Sequence, residues 1–283
     1  MEIKFKKYSG AGNDFVLIDK SENSNLNLSS DLIVKICDRR NGIGSDGILF
    51  IVDDVETDFG LFYYNADGSL GSLCGNGSRC AIKYAYLSKK FKGSSTNFVC
   101  GNRHYKGEVF ENGEVKFYLQ NPTDLKMDLE IEAFNQKFDA CFINTGSPHV
   151  VIKAENIIKK DEDGSTKKYN ISNLPVYKLG KELRYHKLFE PKGTNVNFIQ
   201  IIDCKVHIRT YERGVEDETL ACGTGSVASA LICSITDGLK SPISLITKGN
   251  DELKVEFEKN DDLFFNIALN GPAKEIFSGI IYL

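Results

Sequence analysis

The chain is written mostly in period two. Apolar, β-branched and aromatic residues alternate with polar ones over 2–8, 47–53, 59–65, 104–110, 114–120, 195–202, 205–212, 243–248, 252–258 and 262–268, the spacing of strands. Short turns such as Glu111-Asn112-Gly113-Glu114 and Lys259-Asn260-Asp261-Asp262 separate some of them. That is hairpin chemistry and points to largely antiparallel sheets. The helical period is rarer: 29–40 behind Ser29 or Ser30 as N-cap, 77–91, about 172–184, and 224–236. Sheet outweighs helix, with about two helices to each half, so an α+β class is expected.

An internal repeat organises these elements. Cys74-Gly-Asn-Gly-Ser78 and Cys222-Gly-Thr-Gly-Ser226 lie 148 residues apart in a chain of 283, and each runs into a small-residue, apolar helix. A duplicated domain produces this spacing. Two pseudo-symmetric domains are expected, each a mostly antiparallel sheet wrapped round a central helix, with the two helix starts facing each other across the domain interface. Asn121-Pro122, a strand end followed by proline, marks the change-over. The expected halves are 1–121, to which 270–283 returns, and 122–269.

Composition narrows the function classes. With 41% hydrophobic and 26% charged residues the chain can bury real cores. A net charge of -4, with Lys and Arg scattered among Asp and Glu, offers no field for a polyanion, so nucleic acid is not an expected partner. No apolar run reaches the length of a membrane span, and the first fifteen residues alternate like a strand rather than forming the apolar centre of a signal peptide. No membrane association and a cytoplasmic location are expected. The eight cysteines then read as reduced thiols. Cys37, Cys100, Cys141, Cys204 and Cys233 sit among apolar neighbours and are expected in the core.

The glycine-rich turns carry the chemistry. A helix start exposes unpaired N–H groups and the positive end of the helix dipole, which suits an anion. A thiol at the same place sits in a field that lowers its pKa toward neutrality. Each turn therefore couples a carboxylate cradle to a candidate thiolate. Inverting a stereocentre by proton exchange needs a base on one face and an acid on the other, and two cysteines supply one thiolate and one thiol. Zinc is not expected, because Cys74 and Cys80 lack a C-x-x-C or Cys/His partner, and no P-loop lysine follows the glycines.

Seven blocks, in order, resemble the diaminopimelate epimerase family from end to end. They are Gly10-Ala-Gly-Asn-Asp-Phe15, Gly42-Ile-Gly-Ser-Asp-Gly47, Tyr64-Asn-Ala-Asp-Gly-Ser69, Cys74-Gly-Asn-Gly-Ser-Arg-Cys80, Gly146-Ser-Pro-His149, Asn195-Val-Asn-Phe198, and Tyr211-Glu-Arg-Gly214 followed by Glu218-Thr-Leu-Ala-Cys-Gly-Thr-Gly225. The resemblance implies that LL-2,6-diaminopimelate and its meso form are interconverted, in lysine and peptidoglycan precursor biosynthesis, with no cofactor and no metal. The implied partner is a small-molecule substrate, and a homodimer is allowed. Cys74 and Cys222 match the catalytic pair. Gly75, Asn76, Gly223 and Thr224 match the backbone cradle of the reacting carboxylate. Asn13, Asn65, Asn195 and Arg213 match residues that grip the substrate, where an Arg fork suits a carboxylate. Glu212 and His149 match residues that contact the amino group or tune the thiols.

The chain departs from the family pattern in places. Ser147 stands where members often carry Asn, Gly47 where some carry Gln, and Phe277 where many carry Tyr at a position associated with dimer contact. One extra residue between Glu212 and Cys222, around Glu216-Asp217-Glu218, predicts a bulged loop. Cys80 is expected to be a core thiol. Proline or hydroxyproline racemases also use two cysteines, but Arg213, Asn65 and Asn195 exceed what a ring substrate needs. A phenazine-type isomerase of the same fold usually lacks the pair, and a non-catalytic amino-acid-binding protein has no need of thiols.

Overall fold

The computed structural model describes residues 2–71, 73–160, 166–261 and 263–282. The chain forms two compact units, Met1–Tyr118 with Asn270–Leu283, and Leu119–Leu269. The first runs β1 (Glu2–Gly10), β2 (Asn13–Asp19), α1 (Ser30–Cys37), β3 (Gly47–Val52), β4 (Phe59–Asn65), α2 (Gly75–Leu87), β5 (Ser95–Cys100), β6 (Arg103–Val109) and β7 (Val115–Tyr118). The second runs β8 (Thr123–Ala133), β9 (Gln136–Asn144), β10 (Pro148–Lys153), β11 (Ile158–Lys160), β12 (Thr166–Lys168), α3 (Val176–Arg184), β13 (Asn195–Ile202), β14 (Lys205–Glu212), β15 (Asp217–Thr219), α4 (Gly223–Thr236), β16 (Ile243–Ile246), β17 (Glu252–Asn260) and β18 (Leu263–Gly271). The last strand, β19 (Lys274–Tyr282), lies antiparallel along β1.

Both units repeat one topology. In the first, the pairings β1–β2, β3–β4, β5–β6 and β6–β7 are antiparallel, while β2–β3 and β4–β5 are parallel. In the second, β9–β10, β13–β14 and β16–β17 are antiparallel, while β10–β13 and β14–β16 are parallel. A parallel pair needs a crossover, and each is bridged by an α-helix, α1 and α2 in the first unit and α3 and α4 in the second. The architecture is α+β with mostly antiparallel pairing.

Strand parity then assigns the two faces. Val16, Ile18, Ile48 and Phe50 pack with Ile33 and Ile36 of α1, and Val150, Ile152, Val196, Phe198 and Tyr211 pack with Val176, Leu179 and Leu183 of α3. The alternate residues face the other way, towards α2 or α4. Those helices are wrapped by strands: α2 meets β1, β2, β3, β4, β6 and β7, and α4 meets β9, β10, β13, β14, β16 and β17. Gly75–Ile82 and Gly225–Cys233 are accordingly buried without a break; most of these residues are apolar or small, and the exceptions in α2, Asn76 and Arg79, are hydrogen-bonded to each other.

Covering a sheet on both faces also explains the strands that alternation missed. In β2, Phe15 to Ile18 form an unbroken apolar run, as do Val150 to Ile152 in β10, because neither face meets water. β5, β8, β9 and β19 were missed as well, and β8 is interrupted by register shifts between Thr123 and Lys126 and between Lys126 and Leu129. The helices at 77–91 and 172–184 are shorter than their patterns. The first stops at Leu87 because Lys89 turns left-handed (φ 56°) and Lys90 N–H closes back on Ala85 O at 2.9 Å. The second begins only at Val176, because Asn170 Oδ1 takes the N–H groups of Ser172 and Asn173, both at 3.0 Å, into a turn. The hairpin at 111–114 forms, Val109 facing Val115; Asp262, in the other expected turn, lies outside the described residues.

Among the core cysteines, Cys37, Cys100 and Cys233 are buried and Cys141 is half-buried, but Cys204 is exposed. Its apolar neighbours belong to β13 and β14, whereas Asp203 and Cys204 (φ 50° and 60°) form the two-residue tip between Ile202 and Lys205. Such a tip faces water whatever flanks it.

Gly10 marks where β1 comes closest to α2: a Cβ there would lie 2.7 Å from Asn76 O and 3.1 Å from Cys80 Sγ. Gly10→Ala should therefore destabilise the protein by about 1–3 kcal/mol, as overpacking does. A fall in the urea midpoint at unchanged slope measures it, and an unchanged midpoint would show that the approach is not tight.

Candidate active site

Cys74 and Cys222 occupy the same place in their units. Each is the N-cap of the central helix, with φ -122° and ψ 116° at Cys74 and φ -121° and ψ 112° at Cys222. Two turns 148 residues apart thus share one backbone conformation. Cys74 Sγ accepts from Gly77 N at 3.4 Å, and Cys74 O accepts from Ser78 N at 2.7 Å. Cys222 O accepts from both Ser226 N and Ser226 Oγ at 2.9 Å. Gly77 and Gly225 let a strand approach the helix start: a Cβ would lie 2.9 Å from Leu49 Cδ2 in one case and collide with Asn197 Oδ1 in the other.

The topology brings further residues to each helix start. In the first unit Phe15 pairs with Gly47 and Gly47 with Asn65, so the beginnings of β2 and β3 and the end of β4 share one edge. Asn13 and Asn65 stand there. In the second unit His149 pairs with Asn195 and Val196 with Tyr211, which gathers His149, Asn195, Glu212 and Arg213 in the same way.

Hydrogen bonds fix these side chains. In the first unit Asn76, fully buried, donates to Asn13 Oδ1 at 2.6 Å and accepts from Arg79 Nη2 at 2.9 Å. Asn13 in turn donates to Asp46 Oδ2 at 2.9 Å, and Arg39 binds both Asp46 and Asp14 at 2.7 Å. Buried Lys7 meets Asp14 at 2.6 Å and donates to Gly44 O. Burial alone would raise the Asp14 carboxyl, but the hydrogen bonds from Arg39 and Lys7 outweigh it and hold it below the usual range. Asn65 donates to Ser69 Oγ at 3.0 Å.

In the second unit Asn195 donates to Ser147 Oγ and Pro148 O, both at 2.8 Å, and accepts Arg213 N at 2.8 Å. Ser147 thus holds Asn195 in place. Glu212 Oε2 accepts from Thr219 Oγ1 at 3.0 Å, and Thr224 O accepts from Thr145 Oγ1 at 2.9 Å. Arg213 also lines, with Asn144, Gly146 and Pro148, a hollow of about 450 Å³. The expected bulged loop is instead a hairpin, in which β15 pairs back on β14 (Glu212 with Asp217). Gly214 (φ 93°) and Glu216 (φ 58°) absorb the reversal of the chain.

His149 is fully buried, between Thr224 Oγ1 at 2.9 Å from Nε2 and Asn197 Nδ2 at 3.1 Å from Nδ1. Burial, reinforced by the Arg213 charge, pushes its pKa down to about 3, so it is neutral at ordinary pH. Burial pushes the other way on the core thiols: Cys80 and Cys233 rise to about 12, and Cys100 and Cys141 to about 11. Those thiols stay protonated.

The residues that sequence reasoning missed support the ones it named. Asp46, Arg79 and Asn197 lie inside the recognised blocks and Thr145 next to one, whereas Lys7 and Arg39 carry no local signal. At Gly47 a Cβ would collide with Tyr64 O and lie 2.8 Å from Tyr63 Cε2, so no side chain fits there. Phe277 packs edge-on against Phe5 with ring centroids 5.9 Å apart.

The family model described as Diaminopimelate epimerase matches residues 5–123 and 141–274. The chain belongs to that family. It is 36% identical to the diaminopimelate epimerase of Flavobacterium psychrophilum over 99% of this chain and 100% of that one. It is 37% identical to that of Aquifex aeolicus over 98% and 97%. A phenazine biosynthesis protein of the PhzF family from Bacillus anthracis shares the fold, with a TM-score of 0.72 over the whole of both chains at 14% identity. Among the described residues no helix is long and apolar enough to cross a membrane.

The buried imidazole has a thermodynamic consequence. Because the folded value lies below the ordinary 6.5, the unfolded chain binds a proton that the folded unit refuses. The stability due to neutral His149 is complete above about pH 6.5 and is lost as pH falls toward 3. Relative to His149→Gln, the wild type should lose about 1.4 kcal/mol more per pH unit below pH 6. Parallel urea titrations from pH 7 to 4.5 check this; equal slopes would show that His149 protonates freely.

Proposed function

We propose that this chain inverts one α-carbon of 2,6-diaminopimelate, converting the LL form to meso and back, with Cys74 and Cys222 as the two bases. The reading is carried by the duplicated helix start, in which a cysteine with the same cap conformation opens each central helix of a chain belonging to the diaminopimelate epimerase family. One thiolate removes the α-proton while the other cysteine, as thiol, returns a proton to the opposite face. The roles exchange in the reverse direction.

The α-carboxylate carries the developing charge, and the backbone at Gly75, Asn76, Gly223 and Thr224 would supply donors to it. In comparable oxyanion sites one such donor is worth about 2.7–4 kcal/mol. Asn13, Asn65, Asn195, Glu212 and Arg213 would hold the distal ammonium and carboxylate, the guanidinium facing the carboxylate. The buried His149 acts on Cys222 through Thr224 rather than as a free base. The activity would serve lysine and peptidoglycan precursor synthesis in the cytoplasm. A homodimer is supported by the exposed apolar residues Ile276, Phe277, Ile280 and Tyr282 on β19.

Incubation of the reduced protein with LL-diaminopimelate in deuterated water should yield the meso isomer carrying deuterium at the inverted carbon. Cys74→Ala and Cys222→Ala should each lower the inversion rate by at least about 100-fold. Racemisation of L-proline with no turnover of diaminopimelate would overturn the substrate, and a fully active single mutant would overturn the two-base mechanism.

A further inference from the structure

The turn that carries Arg213 is held by residues with no part in gripping the substrate. Glu212 pairs with Asp217, so Arg213, Gly214, Val215 and Glu216 form the loop between β14 and β15. Gly214 and Val215 are exposed, and a loop of this kind does not by itself fix the direction of a long cationic side chain. Glu216 stands at φ 58°, a left-handed position that glycine fills without strain and that other residues keep where their surroundings enforce it. What glutamate adds is its carboxylate. Its Oε1 accepts from Gly214 N at 3.0 Å, closing the loop on itself, and also from Arg184 Nη2 at 3.0 Å and Nε at 3.2 Å.

Arg184 is the last residue of α3 and is only 8% exposed. Its guanidinium lies over the Tyr185 ring, 4.5 Å from the centroid. The remaining nitrogen, Nη1, donates to Lys192 O at 3.1 Å, and the Arg184 carbonyl accepts from Thr194 N at 3.2 Å. At Gly193, between those two residues, a Cβ would collide with Nη1, so only glycine lets the chain lie against the guanidinium. The fork thus ties two segments together, the 188–193 loop through one nitrogen and the Arg213 turn through the other two. Both segments line the hollow of about 450 Å³, through Leu188, Pro191, Lys192 and Gly193 on one and Arg213 on the other.

Arg213 is anchored again by its own N–H, which donates to Asn195 Oδ1 at 2.8 Å, but that bond places the main chain and not the guanidinium. The guanidinium answers to charge. Burial, and then the charge of Arg184, hold it below its usual pKa, and Glu216 opposes them. Without the Glu216 carboxylate, Arg213 would face a like charge across a loosened turn.

We infer that Arg184 and Glu216 are positioning residues, whose ion pair preorganises Arg213 to receive a distal carboxylate. The inference rests on the reading of Arg213 as the group that grips that carboxylate. Neither member of the pair has to touch the substrate. They hold the turn, so that it need not be ordered when the substrate arrives.

Glu216→Gly suits the left-handed backbone and removes the carboxylate. Because it leaves the Arg184 charge without a counter-ion, Arg184→Met combined with Glu216→Gly, which removes both charges, is measured beside it. The first readout needs no substrate. Amide hydrogen exchange in the peptide spanning 211–219, followed by mass spectrometry on the intact protein, should be at least about tenfold faster in both variants, with exchange in α4 unchanged. The second readout uses LL-diaminopimelate. KM should rise about tenfold while kcat stays within about twofold, the signature of lost uniform binding. In an Arg213→Ala background the same substitutions should lower kcat/KM by less than about twofold, because the turn no longer carries the group it positions. A pair that merely supports the fold would lower kcat/KM alike in both backgrounds. Unchanged exchange over 211–219, an unchanged KM, or equal losses in the two backgrounds overturns the inference, and inversion by the wild type in deuterated water then leaves the proposed function standing. A wild type that does not invert diaminopimelate overturns the proposed function instead, and the exchange result still decides whether the pair holds the turn.

Discussion

The structure is governed by the need to bury the first turn of a helix. An α-helix begins with N–H groups that have no partner within it, and in solvent water answers them at little cost. Here the starts of α2 and α4 are enclosed by strands, so answers must come from the protein or a ligand. The cap is a cysteine whose carbonyl and sulfur take part of that demand at Cys74, and the glycines behind it allow the strands to close in. A carboxylate suits what remains. Cradle, cap and reactive group are therefore consequences of one packing choice made twice.

Around that choice the two units diverge in the way they stiffen their binding residues. The first uses charge. Lys7, Asp14, Arg39 and Asp46 form a cluster beneath Asn13, in which Lys7 is buried against Asp14 while Arg39 is largely exposed. The second uses mainly neutral groups, a line of amide, imidazole and hydroxyl, with Glu212 and Arg213 at the end of β14 beside it. Charge near a thiolate would fix its ionisation strongly, whereas a hydroxyl contact adjusts it slightly. The slight adjustment would suit the two thiols if, as proposed, they exchange roles with the direction of reaction.

The glycine turns, with a cysteine capping each helix, and the duplicated halves were legible in the sequence because each depends on local residue order. Cap conformation follows from Cys-Gly-x-Gly-Ser alone, and it came out the same in both copies. The alternating strands were legible for the same reason. β2 and β10 were not, because a strand covered on both faces loses the polar beat that announces it. Cys204 was misplaced by neighbours that belong to strands while it belongs to a tip. Lys7 and Arg39 were invisible because what makes them matter is a register between β1, β2 and the loop after α1, which no short window contains.

The return of β19 to β1 bears on how such a chain comes off the ribosome. The second unit is continuous in sequence, whereas β1 pairs with a strand that ends at Tyr282. At about 5–20 residues per second, roughly a quarter of a minute to a minute separates the emergence of β1 from that of β19. Throughout that interval one edge of β1 has only solvent or other chains to bond. Its outward residues Glu2, Lys4 and Lys6 are charged, which is how natural sheets keep an open edge from pairing with the wrong strand. The charges along β1 thus suit a strand that must wait for its last partner as well as one that faces water in the finished fold.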